Sequence, residues 1–370
     1  MKTHAMAGFA ALMLGSTALV TPALAQESAD ADGADAAIAA GDCTPLAEQY
    51  PDLGTDQSIS ASKEFVTVWG SFELPGGPCG YASARDHWDA LVEEAKARGT
   101  YSVEIPDGIM ELWSGSWGTE NNTGEIAIVG RNSTREGQAA RLTPEAREVF
   151  MTDSQMWLDD HAIDPISFCL QPNFPRSHTE YGYREFLFQP ERVTLYSQMV
   201  NQLRHIYLDR EIPSEEWLES AWLGSSIGFW DDDILTVYTT GLKEGILQRN
   251  MPRQTDQMET IERFRFVDPE GTDIPIMTLG AEADPNARIE IELTMYDPTF
   301  VEPWHTVVAY YKEIEDTQEQ REINWIHSWD CVEGSNWYMT EAGVISQYAP
   351  GEKPPITEPD FWFDADYVHQ

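Results

Sequence analysis

Basic residues are scarce in this chain. Lysine and arginine number 23 against 63 aspartates and glutamates, a formal net charge of −40. A nucleic-acid-binding face needs clustered positive charge to neutralise phosphates, so that function is excluded. An anionic membrane surface is excluded as a partner for the same reason. Long apolar runs are missing beyond Val20. The run Ala5 to Val20 is too short and wrongly flanked for a lasting membrane span. Cysteine is limited to Cys43, Cys79, Cys169 and Cys331, with no Cys-x-x-Cys and no zinc spacing. Among His87, His161, His178, His205, His305, His327 and His369, none is spaced as His-x-His or His-Glu-x-x-His. No metal site and no cofactor is therefore expected. A phosphate-cradling glycine loop is absent. Gly224-Ser225-Ser226-Ile227-Gly228 approaches the serine-hydrolase signature, but its second glycine comes one residue too late. It also leads into a strand, whereas a nucleophile elbow leads into a helix.

What is present begins with an export signal. Met1-Lys2-Thr3-His4, the apolar run and Thr21-Pro22-Ala23-Leu24-Ala25 predict a signal peptide over 1–25. The expected location is the periplasm or the medium, with no membrane insertion after cleavage. Cutting after Ala25 removes Lys2 and no acid, so the remaining chain is more negative still. An even cysteine count in an oxidising compartment predicts two disulfides. Four cysteines allow three pairings. Cys43–Cys79 with Cys169–Cys331 is the set in which each bridge pins a segment that otherwise dangles. Residues 26–60 read as a flexible acidic leader. Asp30, Asp32 and Asp35 within it lack the glycine and distal glutamate of a calcium loop.

Apolar residues make up 42% and aromatics 11%, too much for a disordered chain. Residues 61–110 read as a small α+β addition, with a strand over Glu64 to Phe72 and a helix over Ser83 to Arg98. Ser83 can cap that helix, Trp88, Leu91, Val92 and Ala95 form its apolar stripe, and Gly99 stops it. Thr143-Pro144-Glu145 predicts a second, short helix closing at Val149 and Phe150. Residues 111–345 otherwise read as strands, and 346–370 as a tail. Ile289, Ile291, Leu293 and Met295 alternate with polar residues, as a half-buried strand requires. Ile227 to Trp230, Asp231-Asp232-Asp233 and Ile234 to Thr239 predict a hairpin. Further strands are expected at Arg192–Ser197, Leu203–Leu208, Thr260–Val267, His305–Tyr311 and Ile323–Trp329. The fold class is mainly β. An antiparallel meander of this length closes into a barrel or splits into a sandwich. The barrel is preferred because closure removes exposed edges.

A series of short motifs recurs in order. It runs Ser114-Gly115-Ser116-Trp117, Leu142-Thr143-Pro144-Glu145 and Cys169-Leu170-Gln171-Pro172-Asn173-Phe174-Pro175-Arg176. Then come Arg204-His205-Ile206-Tyr207-Leu208-Asp209, the run from Trp222 to Trp230, Glu262-Arg263-Phe264 and Pro303-Trp304. The series resembles a large family of secreted bacterial proteins that carries no activity to transfer. Its strand pattern, opening on Gly-x-Trp, is similar to calycin-type barrels, which implies a fold and not a function. Family members carry histidine where Ser225 and Gln254 stand here. Chemistry resting on those histidines is not implied for this chain.

The candidate site centres on Glu262. Thr260, Glu262, Phe264 and Phe266 share one strand face, so interior phenylalanines would place an acid in an apolar wall. Such a carboxylate has a raised pKa and can act as a general acid or base. The competing reading pairs it with an arginine such as Arg204 in a structural network. His305 is the histidine expected beside it, if the two strands are neighbours. Thirteen tryptophans supply aromatic walls. Arg204, Tyr207, Trp222, Trp230, Arg263 and Trp304 are the expected ligand contacts. A small apolar or aromatic molecule is the expected partner. The other two readings are a Glu262-dependent lyase, isomerase or hydrolase, and a structural or partner-binding protein without a pocket.

Overall fold

A computed structural model describes residues 74–77, 79–118, 135–158, 166, 170–180, 182–214, 217–247, 252–268, 271–274, 287–312, 337–339 and 345–347. The expected signal, leader, strand over Glu64 to Phe72 and strand Ile323–Trp329 lie outside these residues. So do Cys43, Cys169 and Cys331. Cys79 is disulfide-bonded, with its partner outside the described residues.

The first helix, α1 (Ala84–Arg98), follows its sequence signals closely. The Ser83 hydroxyl accepts from the Asp86 amide, and Gly99 closes the helix at φ 77. That left-handed angle costs a glycine little. Helix α1 lays Ala84, Trp88 and Ala95 against Ile227, Phe229, Tyr238 and Ile261 on the outside of the sheet. The two-residue strand β1 (Tyr101–Ser102) then pairs with the end of β6 (Ser225–Asp231). The short helices α2 (Ile109–Leu112) and α3 (Arg135–Ala140) precede α4 (Pro144–Leu158). Helix α4 runs well past the expected end at Phe150. No glycine or proline interrupts Met151 to Leu158, so nothing local stops it.

Nine strands close a mixed barrel. They are β2 (Trp117–Gly118), β3 (Arg184–Gln189), β4 (Arg192–Ser197), β5 (Gln202–Tyr207), β6, β7 (Ile234–Thr240), β10 (Glu259–Val267), β11 (Arg288–Tyr296) and β12 (Trp304–Lys312). Two small ribbons stand outside it, β8 (Gly245–Ile246) with β9 (Arg253–Gln254), and β13 (Trp337–Met339) with β14 (Ile345–Gln347). The β6–β7 hairpin turns where expected, with Asp232 at φ 53. The all-antiparallel expectation fails at one step. Strand β5 runs parallel to β6 through only Ile206↔Ser226 and Tyr207↔Ile227. A parallel neighbour needs a crossover, and the chain from Leu208 to Gly224 supplies it.

The barrel interior is filled in three layers. Along β10 the inward side chains pass from Phe266 and Phe264 to Glu262 and Thr260, with Met258 just beyond the strand. Phe264 belongs to one apolar cluster with Trp113, Trp117, Trp230, Leu235 and Val308. Met258 belongs to a second, with Phe174, Leu242, Leu293, Met295 and Trp304. Between them lies a polar layer. No described helix is long and apolar enough to cross a membrane.

Candidate functional site

Glu262 is wholly buried, at 0% exposure, and it is held by an arginine from β5. Arg204 Nη1 donates to Glu262 Oε1 at 2.9 Å, and Nη2 donates to Oε2. The remaining donors reach neighbouring strands. Nη2 also bonds Thr239 Oγ1 at 2.8 Å, and Nε bonds Ser226 Oγ at 3.2 Å. The Phe174 ring caps the guanidinium from 3.8 Å. A fork of this shape suits arginine and not lysine.

A third member comes from a segment outside the barrel wall. The 3-10 turn Arg176–His178 enters between the apolar layers. His178 Nε2 donates to Glu262 Oε1 at 2.6 Å, and its Nδ1 accepts from the Tyr310 hydroxyl. That assignment follows from the carboxylate, which can only accept. The turn is fastened at several points. Phe174 N donates to Trp222 O at 2.7 Å, and Gln254 Nε2 donates to Phe174 O at 2.9 Å. Arg176 pairs with Glu180 at 2.5 Å. Arg184, at 0% exposure, gathers the carbonyls of Ser177, His178, Glu180 and Gly182. We call this inserted segment the plug.

The electrostatics settle the ionic state. Burial alone pushes the Glu262 carboxyl up, but Arg204 first and then the His178 contact pull it back further, to about 2. The expectation of a raised pKa therefore fails, because the wall around Glu262 is not apolar. Burial pushes His178 below its ordinary value and outweighs the attraction of Glu262, while Arg204 and Arg184 add to the depression. Burial pushes Tyr310 up to about 12. The layer thus holds a carboxylate, a guanidinium, a neutral imidazole and a neutral phenol. At 0 and 1% exposure, Glu262 and His178 present nothing to a substrate, and Arg204, at 4%, turns its donors into the network. Every Glu262 oxygen is already taken by a donor. The geometry matches an internal ion-pair network, the structural alternative weighed for Glu262.

His305 does not stand beside Glu262. Strand β11 separates β10 from β12, and Glu262 aligns through Leu293 with Thr306. His305 is one residue off, so period two turns it to the outer face. There its Nδ1 meets Thr294 Oγ1 at 2.9 Å. Its charged neighbourhood includes Glu292, Arg141 and His87. His87 itself is on the buried face of α1, stacked on Tyr81 and bonded through Nδ1 to the Tyr296 hydroxyl at 3.0 Å. Burial first, then His305 and Arg263, lower it from 6.5 to about 4.

Acid should therefore weaken the fold. Unfolded histidine takes its proton near pH 6.5, whereas folded His87 refuses it until about 4. The stability from neutral His87 is complete above pH 6.5 and is lost as the pH falls toward 4. The loss is on the order of 3 kcal/mol. His178 acts in the same direction, and Glu262 extends the loss from 4.5 toward 2. Urea titrations at neutral pH and near pH 4.5 should show a steeper fall for the natural chain than for His87→Gln. Equal slopes would remove His87 as the cause.

The expected ligand contacts divide. Trp230 lies in the apolar layer, 5.7 Å from the Trp113 ring. Trp304 belongs to the second apolar layer, with Arg141 4.8 Å over its ring. Arg263 points outward to Glu292 at 3.4 Å. Arg204, Tyr207 and Trp222, by contrast, line one cavity of about 430 Å³. It opens where β5 and β6 splay apart beyond their two paired residues. Leu203, Tyr207 and Ile227 of the strands line it together with Ile212, Pro213 and Leu223 of the crossover. Gly224 permits the bend at its edge. Its φ is +62, and a Cβ there would stand 2.6 Å from the Thr240 carbonyl oxygen. We call this the seam cavity. Arg204 and Ser226 line it and also belong to the buried network.

Sequence reasoning missed His178, Tyr310 and Arg184. The Cys169 to Arg176 motif stops just short of His178, and nothing local shows that this segment enters the barrel. Among the described residues no group of three or more metal-binding side chains occurs. Comparison of the chain with protein-family models, curated proteins and solved structures finds no match, so the resemblance to secreted bacterial proteins rests on its motifs alone.

Proposed function

We propose that this is an exported β-barrel protein that binds a small apolar or aromatic molecule in the seam cavity. The interior is not the binding site in this reading. The observation that carries the proposal is the cavity itself. Its 430 Å³ falls within the range of small-molecule sites. Its surface is mainly aliphatic and aromatic, with polar side chains from Arg204, His205, Arg210, Glu211 and Ser226 among them. The packed interior alone would favour a purely structural protein, and the cavity outside it is what favours binding. The network around Glu262 serves as the rigid support beneath the site. A catalytic Glu262 finds no support, because no reacting group could reach it without dismantling the plug. Export rests on the amino-terminal pattern.

Native mass spectrometry of the protein purified from the periplasm should reveal a co-purified small molecule. Tyr207→Ala removes one aromatic side of the cavity while leaving the barrel interior untouched. It should reduce occupancy by about tenfold, since loss of a well-packed aromatic contact is worth more than 1 kcal/mol. Full retention of ligand by Tyr207→Ala would place the site elsewhere.

A further inference from the structure

The rim of the seam cavity has a charge pattern unlike the rest of the chain. Its charged lining residues are Arg204, Arg210 and Glu211. Acids outnumber bases nearly three to one overall, 63 to 23. Here Arg204 is already neutralised by Glu262, which leaves Arg210 balanced against Glu211. Arg210 lies at the surface with its guanidinium 4.4 Å over the Tyr207 ring. Its contact with Glu191 is long, at 3.9 Å, and both partners are more than half exposed. Such a pair contributes little and can be exchanged for a better anion. The second aromatic residue of the lining is also capped by a cation, Lys243 Nζ at 5.1 Å over Trp222.

These two caps bear on the class of ligand. A cationic ligand would need open, electron-rich ring faces, as in an aromatic cage. Here Arg210 and Lys243 already occupy a face of each ring and would repel it. His205, lowered by burial and by Arg192, adds a neutral ring and no charge. We propose that the ligand of the seam cavity is an amphipathic carboxylic acid. Its apolar body lies against Leu203, Tyr207, Ile212 and Ile227, and its carboxylate takes the Arg210 guanidinium in place of Glu191. Glu211 at the rim opposes a dianion more than a monoanion, which favours a single carboxylate. This inference rests on the binding reading above, and its test separates the two.

The test measures octanoate, 1-octanol and octyltrimethylammonium binding to the full mature chain by calorimetry. Octanoate should bind about tenfold more tightly than octanol, the gain of one charge-assisted contact. The ammonium probe should bind most weakly. Arg210→Gln, at an exposed position, should bring octanoate level with octanol, weakening octanoate far more than octanol. The octanoate preference should also shrink at high ionic strength. Octanol equal to octanoate, or a preference that survives Arg210→Gln, overturns the acid while leaving the cavity as the site. No binding of any probe, with Tyr207→Ala indistinguishable from the natural chain, overturns both.

Discussion

Glu262→Gln is expected to lower the stability of the barrel by about 4 kcal/mol, the cost typical of breaking a buried ion pair from one side. The amide keeps the volume of the acid but not its charge. Arg204 would then remain at 4% exposure with no anion beside it. Gln also turns an N–H₂ group toward donors. Glu262 now accepts from Arg204 through both oxygens and from His178 through Oε1. One amide oxygen cannot replace two carboxylate oxygens. The double replacement Glu262→Gln with Arg204→Met removes the orphaned charge and should recover a large part of the loss. Guanidinium denaturation of the four members of this cycle measures the coupling. A single-variant loss below 1 kcal/mol would mean that the pair is exchanged freely with water, contrary to its burial. Activity assays bear on the same variant. If a substrate is found and Glu262→Gln turns it over normally in the folded fraction, the carboxylate has no chemical role.

The legible part of the fold was local. Helix α1 was marked by Ser83 and Gly99, and the β6–β7 hairpin by its aspartates. Strand β11 was marked by Ile289, Ile291, Leu293 and Met295. Each depends on residues a few positions apart, where capping and period-two patterning act. Closure into a barrel followed from the number of strands and the need to hide edges. The parallel β5–β6 step was not legible. Two paired residues leave no pattern of their own, and a crossover looks like any long turn. The far end of α4 was missed because a buried phenylalanine, Phe150, was taken for a terminus.

The site was legible in pieces. Alternation on β10 placed Glu262 inward, and Arg204 was named as the arginine that could pair with it. Alternation also carried the error about His305. Membership of adjacent strands cannot be read from period two, and β11 intervenes between β10 and β12. Tyr207 and Trp222 came from aromatic content within the motifs, and the two share a cavity only because the crossover folds back on β5. His178 carried no signal. A histidine four residues after Phe174, in an irregular segment, reads as a surface residue until the barrel around it is known. Tyr310 looked like ordinary strand aromatic for the same reason. Polar layers inside barrels are assembled from distant segments, and composition cannot reveal which ones.

Arg184→Met should have the other large effect, a loss of about 3 kcal/mol or more, because several buried acceptors are stranded at once. Arg184 sits at the start of β3, aligned with Trp117 on one side and Ser197 on the other. Its Nη1 bonds Gly182 O at 2.8 Å, and its Nη2 bonds Ser177 O at 2.9 Å and His178 O at 3.2 Å, with Glu180 O also in reach. These carbonyls end the turn that carries His178 and have no strand partner to take them. The guanidinium also lies 4.8 Å over the Tyr310 ring, so it steadies the phenol that donates to the imidazole. Met fills similar space but donates nothing. Lysine keeps the charge but cannot reach diverging carbonyls with one ammonium, so Arg184→Lys should recover only part of the loss. The consequence should be local before it is global. Hydrogen exchange should accelerate first at the Phe174, Ser177 and His178 amides, which are now bonded to Trp222 O, Asn173 O and Pro175 O. The β10–β11 amides should stay protected under the same conditions, since their ladder runs through nine paired residues and makes no use of Arg184. Uniform acceleration across plug and barrel would show that the plug is an inseparable part of the barrel core. Selective acceleration would show that it is a separate cooperative unit, held in place chiefly by this arginine.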